Sequence, residues 1–392
     1  MKILYLSHCV GRNGSTIALL NLVREMKRFG HEIGVIIPEK DNYLFKELEN
    51  IGVKLFYAKR YPMIMCYPDF NTNVYKRIRR CVSLLLEVIA YRKANNYVYS
   101  IIKDFKPDIV HTNTSAVDYA FQACKRLNIP HVYHIRELLD TWSGYKIFPS
   151  KQSFIKKLNS KNNYNIAVTK AVFEGRNLRR GIDRVIYDGV INEDKYEKEK
   201  QPSFDYPYFL SVGYCTPVKG YLQLIEQFGE FTTINDDVHL VIAGYYAETP
   251  YYMLCKECIE RIGIENRVHF IGIRADVYSL MKSAIALVVA SPFEGFGFTI
   301  VEAMFNGTLV IGRNTSGIKE QFDKGKADTG EEIGLRFNSD EEMLLLMKQA
   351  MVGDFSKMKE NARNVVLNNY TANINARAIE DYYGYILGNN LV

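Results

Sequence analysis

Short apolar runs alternate with segments of helical periodicity along the whole chain. In the first half, the runs predict strands at residues 2–7, 32–38, 54–57, 108–112, 131–134, 165–169 and 184–187. Apolar residues recur at three- and four-residue spacing at 15–29, 115–127 and 171–180, which predicts helices. Strands that alternate with helices are typical of parallel sheets joined by right-handed crossovers. The pattern therefore predicts an α/β fold.

The same pattern restarts after a polar, charged stretch. The second series of strands is predicted at residues 208–212, 238–243, 268–271, 285–290 and 309–311. The charge-rich stretch between the two series indicates a linker. The sequence thus predicts an N-terminal Rossmann-like domain at 1–192, a linker at 193–207, a C-terminal domain at 208–370 and a last helix at 371–392. That helix could close on either domain, including by crossing back to the first.

The composition is that of an ordinary globular protein, with 47% apolar and 24% charged residues. Met1 leads directly into the first predicted strand, and no window has the roughly 18 apolar residues of a spanning helix. Seven scattered cysteines suit free thiols in a reducing compartment, so we expect a cytoplasmic protein. Cys255 and Cys258 form a Cys-x-x-Cys pair whose context favours a helix face over a zinc or redox site.

Charge is distributed unevenly along the chain. Residues 1–190 contain 31 Lys and Arg against 16 Asp and Glu, and the remainder contains 19 against 28. A basic first half predicts an anionic partner surface, either nucleic acid or a lipid leaflet. The basic residues lack the interleaved aromatic residues of a nucleic-acid-binding module. Residues 74–93 combine an apolar stripe with basic residues and favour the leaflet; the alternative is a packed helix with a solvated charged face.

Residues that follow the predicted strands are the candidates for chemistry, because open parallel sheets bind ligands beyond the carboxyl ends of their strands. The segment 291–304 places Glu294 in a strand-to-helix loop and Glu302 in the first turns of the next helix. A carboxylate at Glu302 suits two ribose hydroxyls, and Glu294 could hold hydroxyls of a donor sugar. The alternative is a loop followed by helix acids that the macrodipole favours.

Glycines and helix amides in the same segment indicate a phosphate site. Gly295 and Gly297 remove side chains where a ligand must approach the backbone. The free amides at the helix start, near Phe298 and Thr299, suit a diphosphate.

A lysine follows the first strand of the second series. Lys219 comes six residues after Gly213, where a cation could neutralise a departing diphosphate. The alternative is a solvated surface lysine.

These segments resemble the retaining glycosyltransferases of family 4, which fold as two facing Rossmann-like domains with a cleft between them (the GT-B fold). The strongest similarity is the E-x7-E from Glu294 to Glu302, within Phe-Glu-Gly-Phe-Gly and Glu-Ala-Met; residues 306–311 and 316–320 continue the pattern. Asp188 takes the place of the asparagine in the family's Asn-Gly-Val. The resemblance implies a nucleoside diphosphate sugar held mostly by the second domain, retention of anomeric configuration, and no cofactor or divalent metal.

The resemblance also implies roles for residues of the first domain. The loop that contains Gly11 and Gly14 resembles the family's glycine-rich first loop, which approaches the donor phosphates and the acceptor. His134 stands where the family often has a histidine that contacts the donor sugar. His111 is a weaker candidate for lining the cleft.

One departure from the family concerns the cations. The family usually has an arginine at the position of Tyr214, which would stabilise the leaving diphosphate together with a lysine. Arg136 or Arg12 could substitute for it. The predicted catalytic residues are Lys219, Glu294 and His134, and the predicted donor-binding residues are Gly11, Gly14, Arg136, Gly213, Lys219, Glu294, Gly295, Phe296, Gly297, Phe298, Thr299 and Glu302.

The leading hypothesis is a glycosyltransferase that builds a polysaccharide or glycolipid at the inner face of the cytoplasmic membrane. Its predicted partners are a nucleotide-sugar donor, a lipid-linked or oligosaccharide acceptor and an anionic membrane surface. One alternative is a phosphorylase or sucrose-type synthase with a soluble acceptor. Another is a catalytically silent homologue that scaffolds a partner enzyme. A nicotinamide enzyme is disfavoured, because no Gly-x-Gly-x-x-Gly follows the first strand.

Overall fold

The computed structural model describes residues 1–58, 66–68, 74–138, 145–147, 150–192 and 204–389. These residues form two compact units: residues 1–190 with the C-terminal segment that begins at Ala372, and Ile191–Thr371. Each unit has its own parallel sheet, which confirms the predicted α/β class with two parallel-sheet domains. Residues 193–203 of the predicted linker lie outside the described residues.

The strands of the first unit follow the predicted series closely. In the described residues they are β1 (Lys2–Leu6), β2 (Glu32–Ile37), β3 (Lys54–Tyr57), β4 (Cys66–Pro68), β5 (Ile109–Thr112), β6 (His131–Ile135), β7 (Tyr145–Ile147), β8 (Asn163–Ala167) and β9 (Arg184–Val185). The parallel sheet has the order β3-β2-β1-β5-β6-β8-β9, and β4 pairs with β7 in a separate antiparallel ribbon. The order changes direction between β1 and β5, as in doubly wound folds.

Alternation along β1 shows how helices cover this sheet on both faces. Ile3 and Tyr5 pack with the first helix, and Leu4 and Leu6 pack with the third. All four side chains are at most 1% exposed, as expected for a strand buried on both faces. The described helices that precede the second unit are α1 (Gly14–Arg28), α2 (Tyr43–Ile51), α3 (Val74–Phe105), α4 (Tyr119–Leu127), α5 (Lys151–Leu158) and α6 (Lys170–Gly175).

The second unit repeats the doubly wound order. Its described strands are β10 (Tyr208–Val212), β11 (His239–Ala243), β12 (Val268–Gly272), β13 (Ala286–Val289), β14 (Val310–Arg313) and β15 (Leu335–Phe337). They pair in parallel in the order β12-β11-β10-β13-β14-β15. The switch point therefore lies between β10 and β13, and the loops that follow these two strands carry the predicted cation and carboxylates.

Helices of the second unit cover its sheet and enclose the cysteine pair. In the described residues they are α7 (Tyr221–Thr232), α8 (Pro250–Ile262), α9 (Val277–Ser283), α10 (Phe298–Phe305), α11 (Ser316–Thr329), α12 (Asp340–Val352) and α13 (Ser356–Asn369). Cys255 and Cys258 lie on the buried face of α8 as free thiols, in agreement with the predicted helix face.

The last helix, α14 (Ala372–Asn389), belongs to the first unit. Ile379 and Tyr383 are fully buried in the same core as β1, and His31 lies 2.7 Å from Glu380. Burying each large apolar side chain contributes roughly 1.5–3 kcal/mol, so this contact is a substantial part of the first core. Of the two alternatives for this helix, the structure has the return to the first unit.

Among the described residues, no helix combines the length and the apolar content needed to cross a bilayer.

Candidate active site

The loop after β10 reaches the end of β13 at the switch point of the second unit. Its short 3-10 turn, Pro217–Lys219, ends at Gly220, whose φ is +67°. A Cβ at Gly220 would lie 2.4 Å from the carbonyl oxygen of Ala290. Any other residue would collide there and would also adopt an unfavourable φ. This glycine therefore allows Lys219 to approach the loop that follows β13.

Lys219 and Glu294, two of the predicted catalytic residues, form an ion pair in this structure. Nζ of Lys219 lies 2.5 Å from Oε1 of Glu294, and the hydroxyl of Ser291 donates to the same oxygen at 2.8 Å. The two charged side chains are 24% and 15% exposed, so the pair is largely desolvated yet open to a ligand. Burial raises the pKa of Tyr221 well above its usual range, and Cys215 and Glu294 raise it further, so this phenol stays neutral beside the pair.

The backbone of the Glu294 loop is fixed by the start and the first turns of α11. The amide of Gly317 donates to the carbonyl of Glu294 at 3.0 Å, and the side-chain amide of Gln321 donates to the carbonyl of Phe296 at 2.7 Å. A Cβ at Gly317 would lie 2.8–2.9 Å from three carbonyl oxygens of the loop. The ring of Phe296 is buried against Tyr370, so its side chain supports the loop and does not face a ligand.

The start of α10 has the geometry of an anion site. Gly297 adopts φ +92°, and its carbonyl accepts the first helical hydrogen bonds, from the amides of Ile300 at 3.1 Å and Val301 at 3.5 Å. The amides of Phe298 and Thr299 precede these bonds. They lie at the positive end of the helix dipole, where a phosphate is stabilised.

Glu302 lies in the second turn of the same helix and is half-buried. Its Oε1 accepts a hydrogen bond from the hydroxyl of Tyr278 at 3.3 Å. Gly295 is also half-buried, between Glu294 and the helix start. The described site therefore has two carboxylates and a helix N-terminus along one loop and helix, and one cation that reaches Glu294 from the loop after β10.

Tyr214 is exposed beside this site and has an aromatic partner that sequence reasoning missed. It is 49% exposed, and its ring lies edge-to-face with that of Tyr245 at 5.7 Å between centroids. The amide of Cys215 donates to the carbonyl of Tyr245 at 2.9 Å, which ties the loops after β10 and β11 together. A Cβ at Gly213 would lie 3.0 Å from Cε of Lys219, so the lysine stem runs directly past this glycine. Tyr245 follows a predicted strand end, which was the available signal.

The predicted residues of the first unit form a buried polar network. His134 and His111 are at most 1% exposed, and Nε2 of His111 lies 3.2 Å from Nδ1 of His134. Arg136 is 7% exposed and forms an ion pair with Asp188. A second guanidinium nitrogen of Arg136 donates to Oδ1 of Asn113 at 3.0 Å. The structure therefore does not support Arg136 as a free replacement cation, because its guanidinium is committed to Asp188 and Asn113. The ring of His134 is buried and only its Nδ1 is within hydrogen-bond distance of His111, so its contact with the donor sugar stays a prediction.

The protonation of this network follows from its burial. Burial lowers the pKa of His111 and of His134 well below the usual range, and the charge of Arg136 lowers both further. Burial raises the pKa of Asp188, while its contact with Arg136 opposes that change. Both imidazoles are therefore neutral near pH 7, and they hold the ends of β5 and β6 together.

The glycine-containing loop after β1 is exposed at Gly11 and Arg12. Gly14 begins α1, and the side chain of Asn13 caps that helix by accepting from the amide of Thr16 at 3.0 Å. One of the helix amides available to a phosphate is thus already satisfied within the loop.

The two doubly wound sheets are the architecture of the GT-B class of glycosyltransferases. Residues 12–193 match Glycosyltransferase Family 4, and residues 192–364 match Glycosyl transferases group 1. The chain belongs to these family 4, group 1 glycosyltransferases.

Similar proteins include sequence relatives and solved structures. A protein in the cps region of Klebsiella pneumoniae, described as uncharacterized, is 23% identical over 343 residues, which cover 81% of this chain and 85% of that protein. HepE of Anabaena, solved with UDP and glucose, has a TM-score of 0.75 at 19% identity and covers 98% of this chain and 100% of its own. WaaG, a glycosyltransferase involved in lipopolysaccharide biosynthesis, has a TM-score of 0.65 at 15% identity and covers 96% and 98%. The structural likenesses show the shared fold.

Proposed function

We propose that this glycosyltransferase transfers a sugar, with retention of configuration, from a nucleoside diphosphate sugar to a lipid-linked acceptor. The observation that carries the proposal is the Lys219–Glu294 pair, placed at the switch point beside the N-terminus of α10. One ammonium and two helix amides supply positive charge for a diphosphate. An adjacent carboxylate supplies acceptors for sugar hydroxyls.

The proposed chemistry needs electrostatic stabilisation of the leaving group more than a strong nucleophile. Lys219 and the amides of Phe298 and Thr299 stabilise charge on the departing diphosphate. Glu294 binds hydroxyls of the donor sugar, and Glu302 binds those of the ribose. The acceptor hydroxyl attacks from the face that the diphosphate leaves, and a phosphate oxygen takes its proton. Retention is tested by following the anomeric configuration of the first product by NMR.

We propose that the reaction needs no metal, since protein groups already supply positive charge at the diphosphate. Among the described residues, no three His, Cys, Asp or Glu side chains are grouped to hold an ion. Transfer that survives EDTA at an unchanged rate supports this part of the proposal. Loss of transfer that Mg²⁺ or Mn²⁺ restores contradicts it.

An acceptor in polysaccharide or glycolipid synthesis is supported by two relatives and by the surface of the first unit. One relative is encoded in a cps region, and a structural neighbour acts in lipopolysaccharide biosynthesis. On α3, Leu86 and Ile89 are 64% and 53% exposed, close to the exposed Arg92 and Lys93. Side chains of 74–85, where most of the predicted basic residues lie, are outside the described residues. A helix of this kind suits peripheral binding to the cytoplasmic face of an anionic bilayer.

The test of the function begins with donor binding. HepE was solved with UDP and glucose, so UDP-sugars come first, followed by GDP- and ADP-sugars. The proposal is supported if one nucleotide stabilises the protein thermally and the enzyme then transfers the corresponding sugar to a lipid-linked acceptor extracted from membranes. Flotation with vesicles that contain anionic lipid tests the membrane part, and binding that is equal with neutral vesicles contradicts it. A Leu86→Glu, Ile89→Glu variant should float less and keep its donor affinity.

A catalytically silent scaffold is the second candidate, and Tyr214 favours it because this uncharged residue stands where the family usually has the second cation. This candidate predicts nucleotide binding without hydrolysis or transfer. Slow release of free sugar from a nucleotide sugar excludes it.

A further inference from the structure

The carboxylate of Glu294 is held on one of its two oxygens. Among the described residues, Lys219 at 2.5 Å and Ser291 at 2.8 Å both donate to Oε1. Ser291 is 1% exposed, so its hydroxyl is a fixed interior donor, whereas the carboxylate is reachable. This arrangement orients Oε2 as the oxygen available to a further donor.

The ammonium of Lys219 then serves two anions. It is the ion-pair partner of Glu294, and it is the cation proposed for the diphosphate. The stem of Lys219 runs past Gly213, where there is no side chain between them, and its ammonium lies 2.5 Å from Glu294. In a partly desolvated site, a carboxylate this close offsets much of the attraction that the ammonium offers to phosphate.

We propose that Glu294, positioned by Ser291, makes the site discriminate between the nucleotide sugar and the nucleoside diphosphate left after transfer. Glu294 competes with the diphosphate for Lys219 and so weakens binding of both ligands. Only the nucleotide sugar compensates, because its hydroxyls donate to Oε2. The product therefore binds more weakly than the donor and leaves. Ser291 is a positioning residue in this account. The inference rests on the proposed donor and goes beyond it by stating that Glu294 weakens binding of the nucleoside diphosphate product.

The decisive experiment measures dissociation constants of UDP and UDP-glucose by calorimetry, with GDP, ADP and their glucose conjugates as further probes. Glu294→Gln keeps the shape and removes the charge. We expect it to bind the nucleoside diphosphate about threefold to tenfold more tightly and the nucleotide sugar at least fivefold more weakly. Glu332→Gln is the matched control. It removes a carboxylate that pairs with Arg336 and precedes the edge strand β15. Glu332 therefore lies at the amino end of the strands, whereas the site lies beyond their carboxyl ends, so both affinities should stay within twofold.

A double-mutant cycle identifies the route of the effect. In a Lys219→Met background, Glu294→Gln should no longer tighten binding of the nucleoside diphosphate. Tightening that persists there would overturn the competition for Lys219. Nucleoside diphosphate binding that is unchanged or weaker in Glu294→Gln alone would overturn the discrimination, while the proposed function stands if the wild type binds. Failure of the wild type to bind every probe would overturn the proposed function as well.

Positioning by Ser291 has its own readout. Ser291→Ala should weaken the nucleotide sugar about fivefold and leave the nucleoside diphosphate within twofold, and Ser291→Thr should restore the difference. Ser211→Ala removes a similarly buried serine hydroxyl that donates to the carbonyl of Val288 at 2.8 Å. An equal loss of nucleotide-sugar affinity in Ser211→Ala would show a general packing effect and overturn the role of Ser291.

Discussion

Nζ of Lys219 and Oε1 of Glu294 lie 2.5 Å apart although the residues are 75 positions apart in sequence. The first follows β10 and the second follows β13, so the switch point of the sheet brings them together. Neither side chain is fully buried, and each is backed by a glycine-lined loop. This pair gives the site its charge pattern, and most of the expected effects below follow from it.

Removal of the cation should slow the chemical step. In Lys219→Met, we expect kcat to fall by about 10²–10³, because one preorganised group that stabilises developing negative charge is lost. The measurement is steady-state transfer with the donor saturating. A variant with normal kcat and a raised KM would instead show that Lys219 binds the donor equally in ground and transition states.

Removal of the second carboxylate should weaken donor binding. Glu302→Ala is expected to raise the dissociation constant of the nucleotide sugar about tenfold, the loss of one charged hydrogen-bond acceptor. Calorimetry measures it. Tyr278→Phe, which removes only the hydroxyl that donates to Glu302, is the control and should change the affinity less than threefold. Equal affinity in Glu302→Ala and wild type would exclude the ribose role.

Replacing the exposed Tyr214 by arginine would restore the second cation that the family usually has at this position. Tyr214→Arg should tighten binding of the nucleoside diphosphate severalfold at low salt, and the gain should shrink as salt rises. Ile234→Arg adds the same charge at a 59% exposed position after α7 and should have no such effect. Tighter binding in both variants would indicate general electrostatics, and no gain in either would show that Tyr214 does not adjoin the diphosphate.

A side chain added at Gly220 should lower the free energy of unfolding, because this glycine lies against the backbone of Ala290. Gly220→Ala adds a methyl group 2.4 Å from a carbonyl oxygen at φ +67°, so we expect a loss of about 2–4 kcal/mol or a displaced Lys219. Gly330→Ala is the matched control, because its φ is +76° and nothing lies within 4 Å. It should cost only about 1 kcal/mol. Urea unfolding and donor affinity separate the two outcomes, and equal losses would refute the steric argument.

Acid should destabilise the protein through its interior histidines. Burial lowers the pKa of His131 to about 4, against an unfolded value of about 6.5. The unfolded chain therefore binds the extra proton first, and stability present above pH 6.5 is lost as pH falls towards 4. For His131 alone, the loss between pH 7.5 and 5 is about 2 kcal/mol. His111 and His134 act in the same direction, and the raised pKa of Asp188 acts against them.

Urea unfolding of the wild type and of His131→Gln at the two pH values measures the contribution of His131 to the pH dependence of stability. The variant should show a shallower dependence on pH. His131 makes hydrogen bonds of 2.7 Å to Asn163 and 2.8 Å to Thr112, so some stability is lost at both pH values. An identical slope in both proteins would remove His131 as the cause.

Prediction from sequence succeeded where periodicity and strand ends carry the information. The strands β1–β3 and β10–β14 lie within two residues of their predicted bounds, because apolar runs bounded by polar turns specify them. β15 was missed, since its three residues are too short to show a period. Lys219 and Glu294 could each be predicted as candidates because open parallel sheets bind ligands beyond the carboxyl ends of their strands.

Side-chain accessibility was the part that sequence could not give. His134 and Arg136 follow the residue pattern of a ligand site but lie in the interior, where Arg136 pairs with Asp188 and Nδ1 of His134 lies against His111. Ser291 supports the site through one side-chain hydrogen bond and Gln321 through two, and such bonds leave no periodic trace in the sequence. Such contacts depend on rotamers and loop geometry that only the folded chain fixes.

The return of α14 to the first core sets the order in which the protein can mature on the ribosome. The second unit is synthesised in full before the helix that completes the first core has been made. Until α14 has been made, the first core lacks Ile379 and Tyr383, although α1 already packs against Ile3 and Tyr5. A nonsense mutation within the codons of α14 would thus damage the core of the unit that is made first.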